Sequence, residues 1–453
     1  RIYFSGIGGV GIGPLAEIAR DAGHDVLGSD QSPTLITREL EGSGIPVSIG
    51  QDGTFLRNNH AKQPLDLLVY TAALPVDHPE LVAAYELGIK AVKRDELLAS
   101  IIKEKDLKLI AITGTHGKTT TTGMAIWTLQ QLGVPISYSV GSTLSFGPSG
   151  LFNPESQYFV YECDEFDRNF LHFSPHLSLV TSVDYDHPDT YPTKEEYLDA
   201  FRQFIGQSDG VIMWDRDTTQ LGIKSDSLWS LGEDEVEKLA LAGEHNRRNA
   251  SLVLKMLERL QIGDTPANNQ KALEAFPGTD RRFELLAENM RSDYGHHPAE
   301  IAATLQMARE LADGVVLVYQ PHQNRCQHAL KDVYSNQFEQ ASKVYWLPTY
   351  LTREDPSQAV LTPEILVQNL TNKDKVEFAE LDDALWNSLA IARDAGKLVL
   401  LMGAGDIDGW ARQNVAQERG ACVLLIDKAT SKLLLQQREN LPTGAFVMLW
   451  RRN

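Results

Sequence analysis

The segment Thr113-Gly114-Thr115-His116-Gly117-Lys118-Thr119-Thr120 follows the apolar run 109–112 and opens a helix-like stretch. A strand that hands a glycine-rich loop to a helix N-terminus offers backbone amides to phosphate oxygens, a lysine to neutralise them and a hydroxyl to a cation. The loop reads as an ATP site made of Gly114, Thr115, Gly117, Lys118, Thr119 and Thr120, with Thr119 offered to Mg²⁺. Its spacing is G-x-x-G-K-T, because Ile112 stands where the longer G-x-x-x-x-G-K form has its first glycine. Four successive threonines are stiff at χ1 and a poor choice for helix stability alone, which favours a chemical reason for them. Such a loop belongs at the carboxyl end of a parallel strand, so the chain must contain α/β units.

The remaining sequence carries that pattern in three blocks of short β-branched or aromatic runs alternating with helical segments. Residues 2–4, 24–27, 67–71 and 91–92 are predicted strands of the first block, with helices at 14–22 and 80–87. A charged stretch, 102–108, precedes the second block, whose strands fall at 109–113, 159–161, 177–183 and 211–214. That block ends in a helix from Asn246 and the pair Pro277-Gly278, and the third has strands at 315–319, 344–347, 376–378 and 398–402. The fold expected is α/β, with three Rossmann-like, doubly wound units at 1–103, 104–277 and 278–415 and a tail at 416–453. A net charge of -19 argues against nucleic acid and anionic membranes as partners, and no apolar run is long enough for a membrane helix. Three cysteines without a C-x-x-C spacing point to a reducing, cytoplasmic compartment, and a monomer or homodimer is expected.

A second glycine loop, Gly6-Ile7-Gly8-Gly9-Val10-Gly11, lies between the first strand and helix, and Asp30 follows Gly11 by 19 positions. Gly8, Gly9, Val10, Gly11 and Asp30 thus fit a site for a diphosphate-bearing nucleotide: NAD, FAD or a UDP-sugar. An NAD-dependent oxidoreductase is the rival class, but it leaves the phosphate loop without a purpose. Two acidic clusters, Glu162-Cys163-Asp164-Glu165 and Asp184-Tyr185-Asp186-His187, end strands of the second block, on the edge where that loop must sit. Glu162 and His187 are the candidate Mg²⁺ ligands, with a helix cap as the other reading of His187 and plain packing for Cys163. Glu244-His245-Asn246-x-x-Asn249 opens a helix as an anchor or a cap. Arg281-Arg282 follows Pro277-Gly278, placed to reach a γ-phosphate across a cleft or to stay solvated. Asp293-Tyr294-Gly295-His296-His297-Pro298 joins a strand to a helix. Its adjacent histidines diverge and lack a third ligand, so they fit substrate binding better than zinc.

Taken together, GIGGVG from Gly6, TGTHGKTTT from Thr113, ECDE from Glu162, DYDHPDTY from Asp184, EHNRRN from Glu244, FPGTDRRFE from Phe276, DYGHHPAE from Asp293, YQPH from Tyr319 and GAGDI from Gly403 resemble the Mur ligase family. These are the ATP-dependent amino-acid ligases of peptidoglycan synthesis. The resemblance implies that the first unit binds the UDP-sugar, with Thr71 beside the glycine loop, the second ATP, and the third the amino acid. Most similar are the members that join L-alanine to the carboxylate of UDP-N-acetylmuramate through an acyl phosphate, using ATP and Mg²⁺. Lys118, Glu162, His187 and His296 would then be the catalytic set, with one Mg²⁺ on Thr119 and Glu162 and a second near His187. His245 and Asn246 would face the adenine, Asp293 the ribose, Arg281 the γ-phosphate, and His296 and Arg325 the amino-acid side. Two departures bear on specificity. Cys326 stands where those members usually carry an arginine six positions after the Gln, with Arg325 one earlier, and Phe166 replaces a usual Ser. An aromatic there resembles the murein-recycling branch, which adds L-Ala-γ-D-Glu-meso-diaminopimelate and is the alternative activity. From Ala421 two β-like segments around a charged turn resemble the opening of a Nudix domain without its metal-binding box, or a terminal hairpin docked on the third unit.

Overall fold

In the structure, a computed structural model, residues 1–71, 74–187, 190–352, 354–420, 422–426 and 433–437 are described, with backbone alone for 419–420, 422–426 and 433–437. The apolar runs become strands buried on both faces, as parallel sheets flanked by helices require. The first sheet holds β1 (Ile2–Ser5), β2 (Val26–Asp30), β3 (Val47–Ile49), β4 (Leu67–Tyr70) and β5 (Lys90–Lys93) in the all-parallel order β3-β2-β1-β4-β5. Strand order reverses between β1 and β4, the place where open α/β sheets bind ligands, and the first glycine loop leaves β1 there.

The second sheet contains β6 (Lys108–Thr113), β7 (Ile136–Ser139), β8 (Gly150–Leu151), β9 (Tyr158–Glu162), β10 (Leu177–Val180), β11 (Val211–Trp214) and β12 (Leu228–Leu231). Its order is β12-β11-β10-β6-β9-β7-β8, and only β8 runs antiparallel to its neighbour. β6, which delivers the phosphate loop, is thus flanked by β9 and β10, with Ile112 level with Glu162 and Thr113 level with Val180. The register sets both acidic clusters beside the loop.

These two sheets share one compact unit, Arg1–Leu241 with His245–Asp280. The other unit comprises Ala242–Glu244 and the described residues from Arg281 onward. Its sheet runs β13 (Glu284–Ala287), β14 (Met290–Asp293), β18 (Leu398–Met402), β15 (Val315–Tyr319), β16 (Lys343–Trp346), β17 (Val376–Phe378), with only the edge strand β13 antiparallel. The tail's two β-like segments pair as an antiparallel hairpin, β19 (Cys422–Ile426) with β20 (Leu433–Gln437), and 438–453 lie outside the described residues.

Three α/β sheets are what the sequence predicts, with local corrections. The charged stretch 102–108 holds the end of helix Arg94–Glu104 and the first residue of β6, Lys108. β10 stops at Val180, and Thr181 and Ser182 bond the phosphate loop instead, with Thr181 N donating to Thr113 O at 2.8 Å and Ser182 O accepting from Thr115 N at 3.0 Å. β3, β7, β8, β12 and β13 are additional strands of two to four residues, too short for a pattern along the chain to mark them, and β14 is the strand expected before Asp293. Helix Ile407–Gly420 continues through residue 416.

Candidate functional site

The phosphate loop is shaped by contacts that tolerate little change. Gly114 has φ +133, and a Cβ on it would lie 2.3 Å from Thr181 Oγ1 and 2.8 Å from the Ser182 backbone. The amide of Thr115 donates to Ser182 O at 3.0 Å, and its hydroxyl donates to Asp184 O at 2.7 Å. The residues just after β10 therefore form the floor of the loop. Asn249, on helix Glu244–Leu260, packs on Gly117, and His245 and Asn246 occupy the first turn of that helix.

Lys118 donates to Gly114 O at 2.8 Å and to both oxygens of Glu165, at 2.7 and 3.0 Å, with Asp164 3.8 Å away. Glu165 is fully buried. Burial alone would weaken the ammonium's hold on its proton, but Glu165 and Asp164 more than reverse this and keep Lys118 charged. Thr119 donates to Glu162 Oε1 at 2.8 Å, and Gly141 N donates to Oε2 at 2.9 Å. The hydroxyl and carboxylate side by side are an oxygen donor set suited to Mg²⁺ that is otherwise held by phosphates. His187 Nε2 lies 3.5 Å from Glu165 Oε1 with the ring edge-on to Phe166, and the cap of the next described helix, Lys194–Gly206, is Thr193. Burial opposes its protonation, while Glu165 and Asp186 raise its affinity for the proton overall. Glu165 is thus the hub joining Lys118 to His187, a residue quoted in the ECDE string but not singled out. Cys163 is fully buried, as expected of a packing residue, and burial pushes its thiol pKa up.

At the first glycine loop, Asp30 accepts from Gly8 N at 2.8 Å and from Ser32 N at 3.2 Å, so its carboxylate holds the loop's shape. Gly9, Val10 and Gly11 follow, with Val10 strongly exposed, and Thr71 is half-buried just past β4. Arg94 was not anticipated. Its guanidinium covers Gly11 so closely that a Cβ there would lie 2.5 Å from Nη1, and Asp95 holds Nη2 at 3.3 Å. Asp95 also accepts from the buried hydroxyl of Tyr161 on β9. Arg94 sits in the charge field of Asp164 as well, so a cation stands between the glycine loop and the ECDE segment.

In the second unit, Asp293 ends β14 with Oδ2 accepting from Phe283 N at 2.8 Å and Oδ1 from Gly295 N at 2.7 Å. Burial pushes its pKa up to about 6. Arg281 is not simply solvated: it donates to Gly403 O at 2.8 Å and stacks on Tyr294 at 4.7 Å. The two adjacent histidines diverge. His297 caps helix Pro298–Leu311, while the His296 ring meets His322 at 5.3 Å. Among the described residues no group of three or more His, Cys, Asp or Glu side chains could hold a metal ion. His322, part of the YQPH string, stacks on Tyr350 at 5.9 Å, and burial, His296 and Arg281 push its pKa down to about 4. Arg325 is exposed, its backbone amide held by Glu354 Oε2 at 3.2 Å, and Cys326 Sγ meets Gln323 Oε1 at 3.4 Å.

A phosphate loop flanked by carboxylates, on one of three α/β sheets, is the architecture of a nucleotide-binding α/β protein, and the chain belongs to the Mur ligase family. It matches the Mur ligase family catalytic domain over residues 1–106, the middle domain over 112–238 and the glutamate ligase domain over 281–405. Mur ligases are ATP-dependent and form amide bonds. Curated relatives include the UDP-N-acetylmuramate–L-alanine ligase of Agrobacterium fabrum, 30% identical over 90% of this chain and 95% of the relative. That of Kineococcus radiotolerans is 32% identical over 90% and 94%. The crystal structure of the UDP-N-acetylmuramate-alanine ligase of Thermotoga maritima aligns with a TM-score of 0.71 at 26% identity, covering 92% of this chain and 98% of that one. The murein peptide ligase of Psychrobacter arcticus shares the fold, with a TM-score of 0.60 at 22% identity over 92% and 98%. Among the described residues no helix is long and apolar enough to cross a membrane.

Proposed function

We propose that the protein joins L-alanine to the carboxylate of UDP-N-acetylmuramate with ATP, in the assembly of peptidoglycan. One observation carries the reading: Lys118 and the Thr119–Glu162 pair stand together at the carboxyl ends of β6 and β9, in a chain that follows the alanine ligases over 90% of its length. The sugar's carboxylate oxygen attacks the γ-phosphorus and ADP departs, giving an acyl phosphate. The amine nitrogen, having lost a proton, then attacks the acyl carbon, and inorganic phosphate leaves as the amide forms. Each step brings anions together, so the residues act by position and charge. Lys118 meets the β- and γ-oxygens, with Gly114, Thr115, Gly117 and Thr120 cradling the phosphates. Thr119 and Glu162 would hold one Mg²⁺ and His187 a second, which would neutralise phosphate charge. Gly8 to Gly11, Asp30 and Thr71 take the UDP-sugar. His245 and Asn246 face the adenine, Asp293 the ribose, Arg281 the γ-phosphate, and His296 and Arg325 the amino-acid side.

The test is phosphate release with ATP, UDP-N-acetylmuramate and, in turn, L-alanine, glycine, L-serine and L-Ala-γ-D-Glu-meso-diaminopimelate. Release is expected only with sugar and amine both present, and fastest with L-alanine. ATP hydrolysis indifferent to the UDP-sugar would defeat the proposal. A rate with the tripeptide alone would move the assignment to the recycling reaction.

A further inference from the structure

The first sheet encloses a carboxyl group for which the ligation chemistry has no use. Glu80, in the first turn of helix Pro79–Glu86, is fully buried, and no cation pairs with it among the described residues. Donors surround it instead. The hydroxyls of Tyr3 and Ser29 each lie 2.6 Å from Oε1, the Ser5 hydroxyl bonds Oε2, and the Gln51 amide reaches Oε2 at 3.4 Å. Tyr3, Ser5 and Ser29 are fully buried, and half-buried Gln51 covers the group from outside. Burial and the neighbouring carboxyl hold the Tyr3 phenol far above its ordinary pKa, so it remains a donor throughout the working pH range. A carboxyl group is costly to bury even when satisfied, and apolar packing is the usual way to stabilise a sheet interior. Its location supplies a reason for it.

Ser5 ends β1, and the next residue is Gly6, the first of the glycine loop. Ser29 stands beside Asp30 at the end of β2, and its carbonyl accepts the amides of Gly6 and Ile7, both at 2.9 Å. Asp30 in turn holds Gly8 N at 2.8 Å. The side chains of both serines converge on Glu80, while their backbones carry the loop and the aspartate that shapes it. We propose that Glu80 is a positioning residue for the UDP-sugar: through Ser5 and Ser29 it fixes the two strand ends that present the loop's amides to the diphosphate, without touching the ligand. The assignment rests on the first sheet being the UDP-sugar site.

The experiment measures binding of UDP and of UDP-N-acetylmuramate by calorimetry without ATP, together with steady-state kinetics, for the full chain and for Glu80→Gln, Ser5→Ala and Ser29→Ala. In Glu80→Gln the remaining oxygen can still accept from Tyr3 and Ser29, and the Ser5 hydroxyl can turn to accept from the new amide. The expected result is UDP-sugar binding weakened by about tenfold, with kcat and the KM for ATP within about twofold of the parent, and a smaller loss of the same kind in each serine variant. A folded Glu80→Gln protein with parental affinity for the UDP-sugar overturns the proposal. So does an equal loss of ATP affinity, which would mark general damage. If Glu80→Gln does not fold, the serine variants decide, and unchanged binding in both overturns it. Failure of the parent chain to bind either UDP ligand would instead remove the functional reading on which this stands.

Discussion

The Lys118–Glu165 pair should be spent when ATP arrives, because the nucleotide's phosphates offer Lys118 the same negative charge. With Glu165 fully buried, Lys118 partly exposed and the two 2.7 Å apart, deleting the carboxylate takes the closest anion from the ammonium, at a cost of about 3 kcal/mol. Glu165→Ala should therefore lower the melting temperature by on the order of 10 °C in the absence of nucleotide. Glu165→Gln keeps a hydrogen bond and loses the charge, so its deficit should be about 1–3 kcal/mol. Both deficits should shrink when a non-hydrolysable ATP analogue and Mg²⁺ are added, since the ligand then replaces the missing anion. Binding to the parent must displace Glu165, whereas binding to the variants need not, so the variants should gain more from the same ligand concentration. Paired thermal melts with and without the analogue measure this directly. Variants as stable as the parent, or with the parent's ligand-induced shift, would refute the idea that Glu165 occupies the place of the phosphates.

Lys118→Ala should abolish phosphate release by a factor of about 10³ or more while leaving UDP-sugar binding within a few-fold, as read by calorimetry on the inactive protein. Arg94→Ala should raise the KM for UDP-N-acetylmuramate by about tenfold through loss of a charged contact over Gly11, with Arg94→Lys intermediate in the same initial-rate assay. In the second unit two groups should oppose each other on acidification. Asp293 binds its proton more tightly folded, at about 6, than unfolded, so its contribution to stability rises from pH 7 to pH 5 by roughly 1 kcal/mol. His322 is held at about 4 when folded, so the unfolded chain gains a proton first and stability falls by about 1 kcal/mol over the same range, after allowance for its partial exposure. Urea midpoints should accordingly change little in the parent, rise on acidification in His322→Asn and fall in Asp293→Asn; parallel profiles in all three would contradict the assignment.

The parts legible in the sequence were those whose meaning is local. A phosphate loop is one continuous string, and a strand ending in ECDE or DYDH must bring its acids to the edge where that loop sits. Glu162 could be singled out among those acids, but the part Glu165 plays was not legible. Glu162 and Glu165 are three residues apart, and only the turn after β9 decides that one meets Thr119 while the other drops into the interior beneath Lys118. Arg94 and Glu80 are anonymous in sequence, because their roles come from partners 83 and 77 positions away, at Gly11 and Tyr3. His322 was visible within YQPH, but its stacking on Tyr350 depends on the loop after β16. The strands left unassigned have a common cause as well. β3 and β8 have three and two residues, and β13 opens on the charged Glu284, so its sheet membership comes from tertiary pairing with β14.

Cys163, enclosed next to Glu162, makes the central sheet its own reporter. Its amide is bonded to Ile112 O, one strand over, and its thiol has no path to water while β6 and β9 stay together. Alkylating reagents should reach Cys326 in the native protein but modify Cys163 only in molecules whose sheet has come apart at that strand pair. The rate at which Cys163 is modified therefore counts excursions of the phosphate-loop platform out of its folded state at that one strand pair rather than averaged over the chain.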